Sequence, residues 1–232
     1  MPLENLCVSL QPSNNDKTAI MNRNEKFVIT INRELGSGGH TVGRKLAEKL
    51  GVRYYDKAVI KGLEEKYQLT VEEIERLKGQ RHDWWDSVCR FMQVGPGIDV
   101  DFGIQYKHDS TEELTTEEVF AAEKEILKGI AAEESCVIAG RSGFYILRDH
   151  PNHVSIFIQA SLPFRVERLM HKQNMSEDEA RKTIEKVDKM RETYVKAFTK
   201  TSRYDTRNYD LVISADGKSE DEIVKLIMDF IG

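Results

Sequence analysis

Residues 27–50 constrain the fold more than any other part of this sequence. The apolar run from Phe27 to Ile31 is rich in β-branched residues and predicts a buried strand. A glycine cluster follows at 36–39, and apolar residues then recur at helical spacing up to Gly51, a residue type that commonly ends helices. A strand, a glycine loop and a helix in this order can bind phosphate through backbone N–H groups and the helix N-terminus. The same pattern also fits a strand-to-helix turn that merely needs glycines.

The glycine loop departs from the phosphate-loop pattern G-x-x-x-x-G-K-[ST]. Arg33 stands where that pattern has its first glycine, Gly39 where it has lysine, and His40 where it has serine or threonine. The loop on its own is therefore suggestive of phosphate binding and not diagnostic of it.

Composition predicts a globular protein in a reducing compartment. The chain has 232 residues, 40% hydrophobic and 31% charged, with a net charge of −5 that gives no general attraction to nucleic acid. No apolar run approaches the roughly 20 residues that span a bilayer, and no basic stretch with an apolar core marks a secretory signal. Its 3 cysteines are widely spaced, which favours reduced thiols in a cytoplasmic protein. We expect the polar residues 1–25 to form a flexible tail.

The rest of the chain alternates strands with helices. Four further short segments are each typical of a strand: Val52–Asp56, which ends in a carboxylate, and the apolar runs Ser135–Ala139, Val154–Ile158 and Leu211–Ile213. Helical patterns separate them, and the capping-box signature of a helix start occurs four times, at Thr70–Glu73, Thr115–Glu118, Ser176–Glu179 and Ser219–Glu222. Strands separated by helices predict a parallel sheet built from right-handed crossovers.

Ligands bind such a sheet at the carboxyl ends of its strands. The loops that leave three predicted strands converge there, supplying the glycine loop, Asp56 and the Gly140-Arg141-Ser142-Gly143 segment. An arginine-rich stretch at 164–207 follows the fourth strand and could close over a polyphosphate, because guanidinium binds phosphate in a bidentate manner. The alternative for any single arginine is a solvated helix face. Residues 80–114 are aromatic and irregular, and fit a substrate-facing flap as well as a helix packed on the core.

Three motifs together resemble the cytidylate kinase-like family of P-loop nucleoside monophosphate kinases, over roughly residues 26–230. The first is INRELGSGGHTVGRKLAEKLGVRYYD, which is similar to the family's strand, phosphate loop, helix and second strand. The second is VIAGRSGFYIL, similar to the Gly-Arg motif that contacts the monophosphate. The third runs from FRVERLM through DKMRETY to YDLVIS and is similar to the lid and the last strand.

The resemblance implies a three-layer P-loop NTPase fold with a five-stranded parallel sheet, order 2-3-1-4-5, and helices on both faces. It implies one domain at 26–232, with a monophosphate-binding insert at about 64–115 and a lid at about 164–200. The implied reaction transfers the γ-phosphoryl group of ATP to CMP or dCMP with Mg²⁺. The implied partners are these nucleotides, with neither nucleic acid nor membrane.

Several residue roles follow from the same resemblance. The phosphate loop is matched by Gly36, Ser37, Gly38, Gly39, His40 and Thr41. Arg141 matches the monophosphate-binding arginine, and Arg168, Asp188 and Arg191 fall in the lid and base-side region. We therefore predict that Asp56, at its strand end, Arg141 and Asp188 bind substrate. The predicted catalytic arginines are Arg168, Arg191 and Arg33, the last because the loop lacks its lysine. Thr41 is also the nearest hydroxyl for Mg²⁺, one residue beyond the usual position.

Two functions remain open at this level. Without a loop lysine, Arg33 or a lid arginine must neutralise the transferring phosphate, and Ser142 stands where authentic cytidylate kinases carry Asp. These two departures favour a nucleotide-binding sensor or interaction protein that has lost turnover. The retained Gly-Arg motif and the arginine-rich segment favour an active kinase.

Overall fold

The computed structural model describes residues 20–56 and 116–232 of the chain. The elements in order are β1 (Val28–Arg33), α1 (Gly39–Leu50), β2 (Arg53–Tyr55), α2 (Thr116–Glu133), β3 (Cys136–Ala139), α3 (Gly143–Ile146), β4 (His153–Gln159), α4 (Leu162–Gln173), α5 (Glu177–Thr199), a 3-10 turn (Thr206–Asn208), β5 (Leu211–Ser214) and α6 (Glu220–Ile231). The predicted insert at about 64–115, including the aromatic segment 80–114, lies outside the described residues. Across the described ranges, no helix combines the length and apolarity needed to cross a bilayer.

The strands form one parallel sheet in the order β2-β3-β1-β4-β5, which confirms the predicted fold. β1 lies at the centre, where Ile29 is opposite Val137 of β3 and Val154 of β4. All five predicted strands exist, with ends that shift by one or two residues; β1, for instance, extends to Arg33. Because parallel strands end at a common edge, this extension brings the Arg33 side chain to the edge where ligands bind.

Alternate residues of β1 point to the two faces of the sheet, which are covered by different helices. Ile29 and Ile31 belong to the core that α1 and α6 complete from one side. On the other side Thr30 lies against Gly143, where α3 begins, and a Cβ on that glycine would come within 3.0 Å of the threonine methyl. Helices therefore cover both faces, as the three-layer prediction requires.

α4 and α5 form a pair of helices beside the carboxyl edge of the sheet. Leu35 of the glycine loop packs in their small apolar cluster, whose other buried members are Val166, Leu169, Ala180 and Ile184. The predicted capping boxes are present at the starts of α5 and α6, on Ser176 and Ser219. The segment predicted as a lid is thus well-formed helix, joined to the glycine loop by apolar contacts.

The body of the protein begins earlier than predicted. Met21 is only 1% exposed and belongs to the same core as Phe27. The backbone N–H of Asn22 donates to Oδ1 of Asn152 at 3.0 Å, and the Asn152 amide donates back to the Asn22 carbonyl. Residues 21 and 22 are therefore not part of a free tail, because one apolar side chain in a polar stretch reaches the core.

A partly buried histidine makes the stability of this fold depend on pH. Nε2 of His153 lies 2.7 Å from the Thr30 hydroxyl, between two strands of the sheet. Burial lowers the pKa of His153 to about 4, with His150 lowering it further and Asp210 opposing the shift. Since the unfolded chain binds this proton near pH 6.5 and the native one does not, stability is fully present above about pH 6.5 and is lost towards pH 4.

We predict that His153→Gln removes part of this pH dependence. Between about pH 7.5 and about pH 5 the histidine should cost the wild-type protein about 1–2 kcal/mol of unfolding free energy, and the variant should not show this loss. Urea unfolding at the two pH values measures it. The control is His171→Gln, because the His171 side chain is 80% exposed and should leave the wild-type pH dependence intact. Equal losses in wild type and His153→Gln would contradict the assignment.

Candidate phosphate-binding site

The loop between β1 and α1 opens the helix N-terminus towards the carboxyl edge of the sheet. Gly36 and Gly38 both have φ of 83°, in the left-handed region that favours glycine. Gly38 is the N-cap of α1, so no side chain caps the helix, and no acidic residue lies in its first turn. The backbone N–H groups of the first turn of a helix lack intrahelical partners and carry partial positive charge. An anion bound at this end of α1 would accept hydrogen bonds from these N–H groups, as a capping side chain does in other helices.

Arg33 crosses this edge between two glycines. A Cβ on Gly39 would lie 2.6 Å from the Arg33 Cβ, and a Cβ on Gly140 would collide with its guanidinium Nη1. The Arg33 side chain therefore runs from the glycine loop to the Gly140-Arg141 turn, over two positions that have room for it only because they lack side chains. In residues 20–56 and 116–232, no carboxylate forms an ion pair with this guanidinium.

A buried ion cluster lies directly behind Arg33. We call it the Asp188 cluster; its members are Arg33, Glu34, Arg165, Asp188, Arg191 and Arg203. The Asp188 carboxylate accepts from Nη1 of Arg165 at 2.6 Å and from Nη1 of Arg203 at 3.3 Å, and Arg191 lies 3.6 Å away. Arg191 and Arg203 also donate to the Arg33 carbonyl.

The cluster carries more positive than negative charge. Its four guanidinium groups face two carboxylates, those of Glu34 and Asp188, which leaves a formal excess of +2. Burial, together with the charges of Arg33 and Arg203, lowers the pKa of Arg191 to about 9, so that it is still a cation at neutral pH. Buried charge that lacks counter-charge is costly, and a bound anion would relieve that cost.

Arg168 lies over the glycine loop, but it has a partner. Its guanidinium carbon would be 3.3 Å from a Cβ on Gly38, and Nη2 donates to Glu220 at 2.6 Å. On the far side of the loop, Nε2 of His40 lies 3.0 Å from the Asp56 carboxylate, which joins the first turn of α1 to the end of β2. His40 is thus engaged with a carboxylate at the position where a phosphate loop carries its hydroxyl residue.

Arg141 reaches the same edge on an unusual backbone. Gly140, Arg141 and Ser142 have consecutive φ values of 82°, 53° and 52°, and the two non-glycine residues each carry strain of about 1 kcal/mol or more. The Arg141 guanidinium pairs with Glu123 of α2, which is fully buried and also accepts from the Tyr194 hydroxyl at 2.6 Å. The residues that follow Arg141, Ser142 and Gly143, offer no carboxylate, so its partner comes from a helix 18 residues earlier in the chain.

The structure brings the predicted site residues together and adds several that sequence reasoning missed. Most of the predicted site residues lie along the carboxyl edge of the sheet or directly behind it: Arg33, the loop 36–41, Arg141, Arg168, Asp188 and Arg191. Asp56 is connected to them through its contact with His40. The missed residues are Glu34 and Glu123, whereas Arg165 and Arg203 belong to the predicted arginine-rich stretch 164–207, in which the sequence assigns them no individual role. Helical spacing could have indicated a role for Arg165, because it precedes Arg168 by about one turn and so lies on the same helix face. Nothing in the sequence marks Glu123 as the partner of Arg141.

Comparisons with known proteins agree with this geometry. The model of the cytidylate kinase-like family matches residues 28–216. A cytidylate kinase from Methanopyrus kandleri is 25% identical over 210 residues, which cover 86% of this chain and 90% of that one. A solved structure of an uncharacterized protein from Eubacterium ventriosum superimposes with a TM-score of 0.58 and 26% identity, covering 89% of this chain and 98% of that one. The chain therefore belongs to the cytidylate kinase-like family.

Proposed function

We propose that this protein transfers the γ-phosphoryl group of ATP to a nucleoside monophosphate, CMP or dCMP. The observation that carries the proposal is the position of Arg33, which touches Gly39 of the glycine loop and Gly140 beside Arg141. An ATP held by the loop and a monophosphate held by Arg141 would meet at this guanidinium. The cytidylate kinase of Methanopyrus kandleri, which is similar over most of the chain, supports the choice of acceptor.

The chemistry requires positioning and charge neutralisation more than reactive side chains. In phosphoryl transfer, negative charge on the transferring oxygens is stabilised by cations and backbone N–H groups that are already in place. Of the three arginines proposed as catalytic, Arg168 and Arg191 are committed to Glu220 and Asp188, at 2.6 and 3.6 Å. Arg33 is paired with no carboxylate in the described part of the chain, and so we assign it the role of the missing lysine.

The residues present are compatible with Mg²⁺ bound through the nucleotide. No group of three or more His, Cys, Asp or Glu side chains that could hold a metal occurs in the described ranges, as is common where Mg²⁺ sits mainly on substrate phosphates. Thr41, in the first turn of α1, would supply a hydroxyl ligand. The ion would neutralise charge on the β- and γ-phosphates.

Turnover itself is the first test. A coupled assay of ADP release with ATP and Mg²⁺, run over a panel of nucleoside and small-molecule acceptors, should give its highest kcat/KM with CMP or dCMP. The second candidate, a nucleotide-binding protein without turnover, is favoured by the pairing of Arg141 with the buried Glu123. It predicts ATP binding by calorimetry but no ADP release with any acceptor.

We predict that Arg33→Gln lowers kcat by roughly 10³-fold while ATP affinity changes little, because the charge matters most in the transition state. Arg168→Gln and Arg191→Gln should each stay within about tenfold of the wild-type kcat, because their guanidinium groups neutralise carboxylates. Steady-state kinetics with ATP and CMP, combined with calorimetric ATP titration, separates these effects. A similar loss in all three variants would remove the special role of Arg33.

Gly140→Ala tests the same role without touching the arginine. The new Cβ would collide with the Arg33 guanidinium and displace it, so kcat should fall in the same direction as in Arg33→Gln. Gly51→Ala is the matched control, since Gly51 also has a positive φ, of 67°, but has no atom within 4 Å of its Cβ position. Both variants should lose about 1 kcal/mol of stability from backbone strain, and only Gly140→Ala should lose activity.

Arg141→Lys tests the monophosphate side. A guanidinium has five N–H donors, so its pairing with Glu123 is compatible with a bidentate contact to phosphate, which an ammonium group cannot make. We expect Kd for CMP to rise ten- to a hundredfold, with ATP affinity nearly unchanged. Calorimetric titration with each nucleotide measures both, and Arg148→Lys, on an exposed side chain, is the control. Equal CMP affinity in wild type and Arg141→Lys would exclude Arg141 as the anchor.

A further inference from the structure

The Asp188 side chain binds the glycine loop through a backbone N–H of that loop. Oδ1 of Asp188 accepts from the N–H of Leu35 at 3.1 Å, across 153 residues of sequence. The two oxygens of the same carboxylate accept from Arg203 and Arg165. Its side chain is only 9% exposed. Three protein donors thus occupy most of the roughly four acceptor sites of this carboxylate, which does not favour the direct substrate contact predicted for it.

Helices α4 and α5 hold Leu35 and Gly36, at the start of the glycine loop, through three other contacts. Nη1 of Arg165 reaches the Leu35 carbonyl at 3.5 Å, and the Leu35 side chain is buried among apolar residues of α4 and α5. Gly36 fits against α4, where a Cβ would lie 2.7 Å from Leu169 Cδ1 and 2.8 Å from the Arg165 carbonyl oxygen. The left-handed turn that opens the N-terminus of α1 is therefore built against α4 and α5.

We propose that Asp188 is a positioning residue: it fixes the glycine loop in its phosphate-binding conformation by accepting the Leu35 N–H, and does not contact the substrate. This inference rests on the proposed function of the loop as the ATP phosphate site. The three arginines around Asp188 hold its carboxylate in place. The loop then needs little reordering when a polyphosphate binds, which is the advantage that preorganisation gives.

Electrostatics and positioning predict opposite effects for Asp188→Asn. Removing a negative charge beside an anion site should, by Coulomb attraction alone, tighten ATP binding. If the carboxylate positions the loop, binding should weaken instead. An asparagine amide can turn its oxygen to Leu35 only by presenting its NH₂ group to Arg165, so one of the two bonds seen at 3.1 and 2.6 Å is lost in either orientation.

The experiment compares Asp188→Asn with Glu192→Gln. Glu192 lies one turn later in α5, accepts from the Arg203 N–H at 3.0 Å, and makes no contact with the glycine loop. Both variants lose one negative charge near Arg203. We expect Kd for ATP with Mg²⁺ to rise at least fivefold in Asp188→Asn and to stay the same or fall in Glu192→Gln. Unchanged or tighter ATP binding by Asp188→Asn overturns the proposal.

Two further measurements guard against misfolding and against failure of the proposed function. Asp188→Glu keeps the charge but moves the carboxylate, so it should fold and still weaken ATP binding; wild-type affinity in this variant overturns the proposal.

Amide hydrogen exchange at Leu35, measured without ligand, should be at least tenfold faster in Asp188→Asn and Asp188→Glu than in wild type and Glu192→Gln. If this tether is seen but wild type does not bind ATP, the proposed function fails and the role of Asp188 in phosphate binding fails with it. If wild type binds ATP and Leu35 exchange does not change, only the role of Asp188 fails.

Discussion

The burial of more positive than negative charge beside one loop is the constraint on which the site depends. Four guanidinium groups and two carboxylates meet at the carboxyl end of β1, and Arg203 among them is fully buried. Desolvating an ion costs several kcal/mol unless geometry and counter-charge offset it, and here the protein supplies only part of the counter-charge. The guanidinium groups of Arg165, Arg191 and Arg203 are instead fixed by contacts with the Asp188 carboxylate or the Arg33 carbonyl. The fold thus keeps a positive site ready for an anion at the cost of some stability.

The position of the Arg33 side chain and the packing of α4 explain why several residues of the glycine loop and of the Gly140-Arg141 turn are glycines; contact with a ligand is not the only reason. Gly39 and Gly140 are the positions over which Arg33 passes, and Gly36 is the position against which α4 packs. A glycine-rich loop is commonly interpreted as space for a phosphate. In this protein the Arg33 side chain fills part of that space. The glycines and the absent loop lysine are therefore connected: the cation is supplied by the last residue of β1, and its side chain fits only because Gly39 and Gly140 carry no side chains.

The parts of the structure that sequence could predict are those governed by local rules. β1, β3, β4 and β5 are short runs rich in β-branched residues, the starts of α5 and α6 are marked by Ser176 and Ser219, and the sheet order follows from the family resemblance. The ion pairs could not be predicted. An arginine on a helix has the same local pattern whether it faces water, as Arg181 does at 46% exposure, or a buried carboxylate, as Arg165 does. The packing of α4 and α5 on the glycine loop is what decides which arginines face a buried carboxylate, and this packing cannot be read from the local sequence.

The turn at Arg141 shows how such long-range packing holds local strain. Two consecutive non-glycine residues have left-handed backbone, and the buried Ser142 hydroxyl has no hydrogen-bond partner among residues 20–56 and 116–232, a condition that costs about 1–3 kcal/mol. A carboxylate at the same position, as the resemblance leads one to expect, would cost more, because a buried charge needs a cation or several donors. Serine lowers that cost and changes the chemistry, since a hydroxyl donates as well as accepts whereas an ionised carboxylate only accepts. Under the proposed function, a substrate group next to Ser142 would therefore meet a less selective partner, and discrimination between acceptors would fall more heavily on Arg141 and the geometry that Glu123 gives it.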